Sequence, residues 1–550
     1  MKRSVFNSIF VFLILLSAAL VSSCGDSASE TDKTVFRYNE SNGISSLDPA
    51  FSNNLENIWG CNQLFDGLLE LDSQLKPQGL IARSWEIDST GTSYTFYLRD
   101  DVYFHDDACF PDSTGRKVVA EDFVYSFNRL LEGKTGSPGV WVFDQVDRQR
   151  NGGFEALNDT TFAVYLKKPF PPFLGILAMQ YCSVIPHEAI EKYGDEFRSH
   201  PVGTGPFKFA FWIENVSLVL HKNQGFWQKD ENGADLPYLD AVKIDFVKDK
   251  SVAYLNLLQG KYDFMSGLHP AYKDELLDPM GNLNPAFEKI LRFQKKPFLK
   301  TDYLGILVDD SLELSAQSGL YDKRVRQALN YAIDRKEMVR FLRNNAVYPA
   351  TAGFIPRGLQ AFEGDVAYGY NHKPERTKSL LSEAGFPNGK GLEAISIATT
   401  SDYVDLCEFI QHQWSLIGVN TKINVLPTST HREFVAKSKL LVFRKSWLAD
   451  YPDAENFLSL FYSDNFCPQG PNYTHFSSTA FDSLYEASQS ITDELVRQEY
   501  YSTMDSLVME QAPVIPLFYD QVSHFVRKEV KGLETNSINL LDLKKVKKTR

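Results

Sequence analysis

The sequence has few cysteines and none of the compact patterns that mark metal centres. Six cysteines occur in 550 residues, and there is no Cys-x-x-Cys pair, no His-x-x-x-His pair and no dense Cys/His cluster. Structural zinc sites are built from such patterns, so we expect neither a metal nor another cofactor. Five cysteines remain when Cys24 is set aside, an odd number, so we expect at least one unpaired thiol.

The sequence also lacks the common catalytic motifs. It has no Gly-x-Ser-x-Gly elbow and no Walker loop, and His187-Glu188 is without the second histidine of a zinc protease helix. The glycine-rich stretch 385–391 contains Pro387 and has no Ser or Thr after Lys390, which favours a surface turn over a phosphate cradle. We therefore expect no enzymatic activity, with a secreted hydrolase as the alternative.

An excess of positive charge is absent as well. The formal net charge is −13, which argues against a nucleic acid as partner. Lysines and one arginine cluster at residues 544–550, and we interpret them as a solvated terminal charge run.

The N-terminus has the pattern of an export signal. Met1-Lys2-Arg3 precedes an apolar run over 9–21 that is too short for a comfortable membrane span. The small residues that follow, ending in Cys24, resemble the lipobox of bacterial lipoproteins. That resemblance implies a signal peptide over 1–23, lipidation of Cys24 and a flexible tether over 24–34 that holds the protein at a membrane surface. An ordinary secretory signal is the alternative.

The rest of the chain, about 525 residues, exceeds one usual hydrophobic core, so two or more packed units are expected. Tyr94–Leu98 alternates as a half-buried strand does, and residues 242–264 show a strand, a short helix capped by Ser251 and a second strand. Asp334 is placed to cap a following helix. This mixture predicts an α/β class with parallel strands.

Four stretches, in this order and at these separations, resemble the oligopeptide- and dipeptide-binding proteins of ABC importers, family 5 of the extracytoplasmic solute-binding proteins. The resemblance covers essentially all of residues 35–540. The stretches are Ser-Leu-Asp-Pro at 46–49 leading to Leu-Phe-Asp-Gly-Leu-Leu at 64–69, Val-Gly-Thr-Gly-Pro-Phe at 202–207, the helical segment 324–335, and Arg-Lys-Ser-Trp-Leu-Ala-Asp-Tyr-Pro-Asp at 444–453.

The resemblance implies a two-lobed periplasmic-binding-protein fold of the class II type, with an extra domain inserted in the first lobe. Hinge closure would enclose the ligand between the lobes, and the membrane permease would recognise the closed form. The expected divisions are lobe I over 35–65, 203–300 and 519–550, the insertion over 66–202, and lobe II over 301–518.

The resemblance also implies a monomeric carrier that holds a short peptide by its backbone, as an added strand, and delivers it to ABC permease subunits at the cell envelope. The expected backbone contacts are the strand from Ser446 to Leu448 in lobe II and the segment around Asn54 and Leu55 in lobe I. Other relatives take oligosaccharides, nickel complexes or haem, and these ligands stay open, as does a role in sensing instead of import.

Three side chains would complete the expected site. Asp450 matches the family's acidic residue that meets the peptide α-ammonium, with a turn-stabilising role before Tyr451 as the alternative. Arg444 matches a basic residue able to meet a terminal carboxylate. Trp447 is expected either to wall the pocket or to pack in the core.

Overall fold

The computed structural model describes residues 34–269, 272–364 and 368–549, which form strands and helices that alternate along most of the chain. The predicted signal peptide and Cys24 lie outside these residues. The strands are β1 (Val35–Asn39), β2 (Leu69–Leu71), β3 (Pro77–Gly79), β4 (Ala82–Ile87), β5 (Ser93–Leu98), β6 (Phe154–Asn158), β7 (Thr161–Tyr165), β8 (Phe207–Ile213), β9 (Ser217–Lys222), β10 (Ala241–Asp245), β11 (Phe264–Ser266), β12 (Leu291–Ile306), β13 (Tyr348–Pro349), β14 (Ile395–Thr399), β15 (Thr421–Val425), β16 (Val442–Leu448), β17 (Val514–Arg527), β18 (Val530–Lys531) and β19 (Lys547–Lys548).

The helices pack against these strands and are joined by short turns. They are α1 (Leu55–Leu64), α2 (Ala120–Leu131), α3 (Phe173–Leu177), α4 (His187–Tyr193), α5 (Lys250–Leu258), α6 (Lys273–Leu276), α7 (Glu313–Ala316), α8 (Lys323–Tyr331), α9 (Arg335–Arg343), α10 (Pro374–Glu383), α11 (Val404–Ser415), α12 (Thr428–Ala436), α13 (Glu455–Leu458), α14 (Thr479–Ser488) and α15 (Glu494–Gln511). Over the described ranges, no helix combines the length and apolar character needed to cross a membrane.

Eleven of the described strands form one sheet, in the order β15-β14-β16-β12-β17-β11-β1-β10-β9-β8, with β13 also paired to β17. The antiparallel strands β12 and β17 lie in its middle. Residues 291–297 of β12 pair with 521–527 of β17, next to β11, whereas residues 301–305 pair with 514–519, next to β16. Two groups of strands are thus joined through β12 and β17, and the predicted α/β fold with two lobes is confirmed.

The register between β12 and β17 is interrupted between Pro297 and Thr301. An interrupted ladder leaves backbone groups unpaired and locally bends the strands. The lobe boundaries expected from the sequence, 300/301 and 518/519, lie at or next to this interruption and stay a prediction. We therefore expect the crossover between the lobes at this point of β12 and β17.

A separate antiparallel sheet, β4-β5-β7-β6, lies within the predicted insertion over 66–202. Its buried Phe96 and Phe162 belong to the same hydrophobic cluster as Phe36 and Val242 of the main sheet. The core of this region therefore continues into lobe I. The bounds of the insertion stay a prediction.

The strand–helix–strand unit predicted over 242–264 is present as β10, α5 and β11, and β1 lies parallel between the two strands. The expectation that Ser251 caps the helix was wrong. Asp249 is the cap, because its carboxylate accepts the backbone N–H groups of Ser251 and Val252 at 2.8 and 3.2 Å. The helix therefore begins at Lys250, earlier than the apolar spacing indicated. Asp and Ser are equally good caps, so their residue types alone do not decide between them.

The predicted cap at Asp334 is confirmed, as its carboxylate accepts the N–H of Glu337 at 3.0 Å. The next residue, Arg335, is only 2 % exposed and donates from Nε to the carbonyl of Pro516 at 2.6 Å. A buried guanidinium needs such partners, because an unpaired one costs several kcal/mol. Arg335 therefore links α9 to β17 by a hydrogen bond. Its polar character did not indicate this buried contact.

The cysteines and the basic tail also have definite environments. Cys61, Cys109, Cys182, Cys407 and Cys467 are all free thiols.

The interpretation of residues 544–550 as a solvated charge run was wrong for two lysines. Lys544 pairs with Glu70, and Lys548 lies 2.9 Å from Asp263, so the tail is bound to lobe I.

Candidate functional site

The strand β16 has one edge that is only partly paired. On one side, all of its residues pair with 300–306 of β12. On the other side, only Val442 and Phe443 pair with β14, and no described strand pairs with residues 444–448. The edge that contains Ser446 and Leu448 therefore offers backbone groups to an added strand.

This edge lies where the two lobes face each other. The Trp141 ring of lobe I has its centroid 6.2 Å from that of Tyr451, just after β16. Burial and then Lys250 lower the pKa of His269 in lobe I, and the charge of Asp402, in the turn after β14, opposes that shift. The segments on both sides of β16 thus approach lobe I.

The lobe I wall contains a cavity of about 300 Å³. Leu55 lies in its lining, together with Trp59, Phe264, His269 and Tyr272. Leu55 begins α1, and the preceding Asn54 caps that helix by accepting the N–H of Asn57 at 2.9 Å. The structure thus places Leu55 in the cavity lining, the exposed Asn54 directly before it, and Ser446 and Leu448 on the lobe II strand.

Asp450 follows β16 and is exposed to solvent. Its carboxylate accepts a long hydrogen bond from the amide of Asn456, 3.5 Å, and forms no ion pair with any described residue. Desolvation raises the pKa of this carboxyl to about 6, and the Asn456 hydrogen bond opposes that rise. We attribute the desolvation to the surrounding walls of the cleft, since the carboxylate itself still reaches water.

The turn-stabilising alternative for Asp450 finds no support in these contacts. The carboxylate of Asp453, three residues later, accepts the backbone N–H of Glu455 at 2.9 Å. The hydrogen bonds of the described residues give the Asp450 carboxylate no such backbone donor. Asp450 is therefore an incompletely compensated anion beside the free strand edge.

Trp447 is held by the same amide as Asp450. Its Nε1 donates to Oδ1 of Asn456 at 2.9 Å, and its ring packs at the edge of the lobe II core that contains Tyr303 and Phe457. The side chain is half-buried, so it packs against the core while part of it stays accessible to a ligand.

Arg444 is 7 % exposed and ion-paired with the fully buried Asp302 of β12. Its guanidinium carbon lies 3.1 Å from the ring centroid of Tyr403, and burial lowers its pKa to about 9. Lys300 also approaches Asp302, at 3.2 Å. The Arg444 Nε has no hydrogen-bond partner among the described residues, so one donor is still unused.

Sequence reasoning missed several residues around this edge. Burial raises the pKa of the Tyr181 phenol, and the charge of the nearby Asp450 raises it further. Lys445 has its ammonium 4.0 Å from the ring centroid of Tyr473. Asn456 holds Trp447 by a hydrogen bond, and Asp302 holds Arg444 by an ion pair. They come from separate segments and form no local motif, so only the folded chain brings them together.

The arrangement offers recognition and no evident chemistry. No group of three or more His, Cys, Asp or Glu residues able to hold a metal ion occurs in the described part of the chain. What the site contains is a free strand edge, an unpaired carboxylate, aromatic walls and an adjoining cavity. These are features of a binding cleft.

Comparison with known proteins gives this arrangement a context. Residues 76–466 match the profile described as "Bacterial extracellular solute-binding proteins, family 5 Middle". The dipeptide-binding protein of Escherichia coli K12 is 26 % identical over 467 residues, 82 % of each chain. The glutathione-binding protein GsiB of Escherichia coli O1:K1 / APEC is 26 % identical over 538 residues, 97 % of each.

A solved structure shares the fold. The periplasmic binding protein DppA from Helicobacter pylori, in complex with the peptide STSA, superimposes with a TM-score of 0.77 at 24 % identity. The match covers 94 % of this chain and 98 % of that one.

Proposed function

The chain belongs to family 5 of the bacterial extracellular solute-binding proteins, and from this we propose that it captures short peptides between its lobes and delivers them to the permease of an ABC importer. The proposal rests on the free edge of β16 with Asp450 directly after it. An extended peptide needs main-chain partners along its length and an anion at its α-ammonium. Ser446 to Leu448 supply the first, and Asp450 supplies the second.

Backbone recognition suits a carrier of many different peptides. Main-chain amides are the same in every peptide, so hydrogen bonds to a strand edge give affinity that does not depend on sequence. Side chains would project from that edge into the space between the lobes, including the cavity of about 300 Å³ that Leu55 helps to line. We propose that Asn54 and Leu55 contact the peptide from lobe I.

We assign the far end of the peptide to the neighbourhood of Arg444. Its Nε supports this assignment, because this buried donor still lacks an acceptor while the Asp302 ion pair is formed, and a peptide carboxylate that displaces the side chains covering it would supply one. Asp302 lowers the net positive charge available there. The carboxylate contact is therefore expected to contribute less than the contact at Asp450.

The anchor forms part of the same proposal. Cys24 would carry the lipid and residues 24–34 the tether, so that a monomeric binding protein works at the outer face of a membrane. One lipid-modified terminus is enough to keep the cleft near its permease, since several acyl chains together make release rare.

The function is tested by identifying what the protein carries. Protein purified under native conditions is unfolded, and the released small molecules are analysed by mass spectrometry. Short peptides, recovered intact after incubation with the refolded protein, are the expected result. Oligosaccharides in their place, or peptides that come back cleaved, would contradict the proposal.

The refolded, ligand-free protein then allows a direct comparison. Thermal unfolding is followed with a mixture of short peptides and, in parallel, with a mixture of oligosaccharides at the same concentration. A ligand that binds only the native state raises stability by RT ln(1 + [L]/Kd). We expect the peptide mixture alone to raise the melting temperature.

A further inference from the structure

A second cluster of reactive groups lies in lobe II, away from the free edge of β16. The Sγ of Cys467 lies 3.4 Å from Nε2 of His475, and the Nδ1 of the same ring lies 2.7 Å from Oδ2 of Asp309. Asp309 accepts a hydrogen bond from Nδ1–H, which orients the ring with Nε2 towards the sulfur. A thiol, an imidazole and an orienting carboxylate in this order are the arrangement that activates cysteine nucleophiles.

Neighbouring residues hold the imidazole and the sulfur in place. The ring of Phe466 stacks on the His475 ring, with centroids 4.5 Å apart and planes 2° from parallel. The Ser438 Oγ lies 3.3 Å from the sulfur and 3.0 Å from Nε2. The geometry is therefore fixed on three sides of the ring.

The charges around the sulfur favour the thiolate. Burial raises the pKa of the Cys467 thiol, but the hydrogen bonds from His475 and Ser438 and the imidazolium charge outweigh it, so the pKa lies below its usual value. Hydrogen bonds with Cys467 and then Asp309 raise the pKa of His475 to about 9, against the effect of burial. Lys445 and Tyr473 are the other titratable groups that interact with the sulfur.

The other described thiols have the opposite environment. Burial raises the pKa of Cys61 and Cys109 to about 12 and that of Cys407 to about 11, and it raises the pKa of Cys182 as well. Metal binding does not account for the cluster, because no metal-holding group was found within the described residues. The Cys467 site thus differs from every other thiol that the structure describes.

We propose that Cys467 is a reactive thiolate that forms a mixed disulfide with small disulfides. The thiolate attacks one sulfur of the disulfide R–S–S–R, a new Cys467–S–S–R bond forms and the original S–S bond breaks. The leaving thiolate R–S⁻ takes the proton from Nε2 of His475, which returns to its neutral form. Cys467 is 5 % exposed and precedes the exposed Pro468 and Gln469, so a small reagent suits the site better than a polypeptide chain.

The test uses the full chain and the uncharged reagent 4,4′-dithiodipyridine, whose released thiopyridone is read by absorbance. Peptide mapping by mass spectrometry assigns the modified thiols with time. Cys109 is the internal control, because it is more exposed than Cys467, while burial and the neighbouring Asp107 carboxylate raise the pKa of its thiol and no histidine contributes to that pKa. At pH 7 we expect Cys467 to react at least about tenfold faster than Cys109, which reverses the order that exposure alone would give.

The pH profile separates activation from access. Because its thiol pKa is lowered, the Cys467 rate should rise less steeply between pH 7 and 9 than the Cys109 rate, which should rise close to tenfold per pH unit. His475→Gln should slow Cys467 at least about tenfold at pH 7, and Ser438→Ala should slow it less. Should His475→Gln fail to fold, the profile of the unaltered protein decides alone. A Cys467 rate no faster than that of Cys109, or one that rises with pH in the same way, would overturn the proposal.

Discussion

The indole Nε1 of Trp447 donates to the Oδ1 of Asn456 at 2.9 Å. The same Oδ1 accepts the backbone N–H of Asp450 at 3.3 Å. One buried amide thus fixes both the end of the free strand edge and the carboxylate beside it.

Asp450→Asn is expected to weaken the binding of short peptides by about 2–5 kcal/mol, because it leaves a desolvated ammonium without a counter-charge. That is a loss of about thirty- to several-thousand-fold in affinity. N-acetylation of the peptide should weaken binding to the unaltered protein and matter much less to the variant. Calorimetry on the four combinations closes the cycle. If the two losses simply add, Asp450 does not meet the ammonium.

Peptide affinity is expected to depend on pH through the same group. The pKa of Asp450 is about 6 without ligand, so the carboxylate is ionised at pH 7.5 and mostly protonated at pH 5. Affinity should therefore be about tenfold weaker at pH 5, and this dependence should vanish in Asp450→Asn. Calorimetry at both pH values measures it, and an unchanged pH dependence in the variant would count against the assignment.

The stability of the ligand-free protein should respond to Asp450 in the opposite sense. A carboxyl whose pKa is raised on folding contributes stability at low pH, and this contribution is lost as pH rises through about 6. Asp450→Asn should therefore stabilise the ligand-free protein at neutral pH, by at most about 1 kcal/mol given the solvent screening of this exposed group. Denaturant unfolding at pH 7.5 provides the measurement.

Closure of the lobes is expected to depend on Leu75, at the tip of the β2–β3 hairpin. Leu75 packs against the lobe II core, and Lys76 lies 3.7 Å from Glu494 of α15. The φ of Leu75 is 63°, a conformation that Asn adopts readily, so Leu75→Asn removes the apolar contact without backbone strain.

We expect Leu75→Asn to weaken peptide affinity about fivefold, through the loss of about 1 kcal/mol of apolar burial in the closed form. Leu416→Asn is the control, since that side chain is 66 % exposed. Small-angle scattering should show the unaltered protein contracting on peptide addition. Equal affinities for both variants would place the closing contact elsewhere.

The stability of the crossover between the lobes is expected to depend on Asp302. This residue is fully buried between Arg444 and Lys300, so Asp302→Asn leaves buried positive charge uncompensated. The expected cost is about 3–5 kcal/mol of unfolding free energy, seen as a lower denaturation midpoint. Asp520→Asn is the matched control and should cost about 1 kcal/mol, because Asp520 is partly exposed and its ion pair within the described residues is with Lys300.

The anchor is tested at Cys24. Cys24→Ser is expected to abolish the incorporation of labelled fatty acid and to release the protein from membranes, because the acyl chains supply the attachment. Peptide binding should be unchanged, since the cleft residues lie far along the chain. Continued acylation of the Ser variant would show that the lipid is attached elsewhere.

The sequence predicted those parts of the fold that are encoded locally. Alternation placed the strand over 94–98, and the polar residue before an apolar turn placed the cap at Asp334. The cap of α5 was misplaced because both Asp249 and Ser251 suit that role, and only the folded chain shows which of them accepts the N–H groups.

Contacts between distant segments could not be predicted in the same way. Arg444 and Asp302 are 142 residues apart, and the bound state of Lys544 depends on Glu70 at the other end of the chain. No spacing rule connects such pairs, because they meet only when the strands take their places in the sheet. The resemblance named Asp450 and Arg444. Only the structure shows that Arg444 is ion-paired with Asp302, whereas Asp450 has no ion-pair partner among the described residues.

The unpaired edge of β16 also bears on self-association. An exposed strand edge invites pairing with other chains and is a common origin of aggregation. Here Leu75 packs against the lobe II core, and the ring centroids of Trp141 and Tyr451 are 6.2 Å apart, so the two lobes approach each other near this edge. We expect this approach to hinder a β-sheet of another molecule from pairing with the edge more than it hinders a single extended chain.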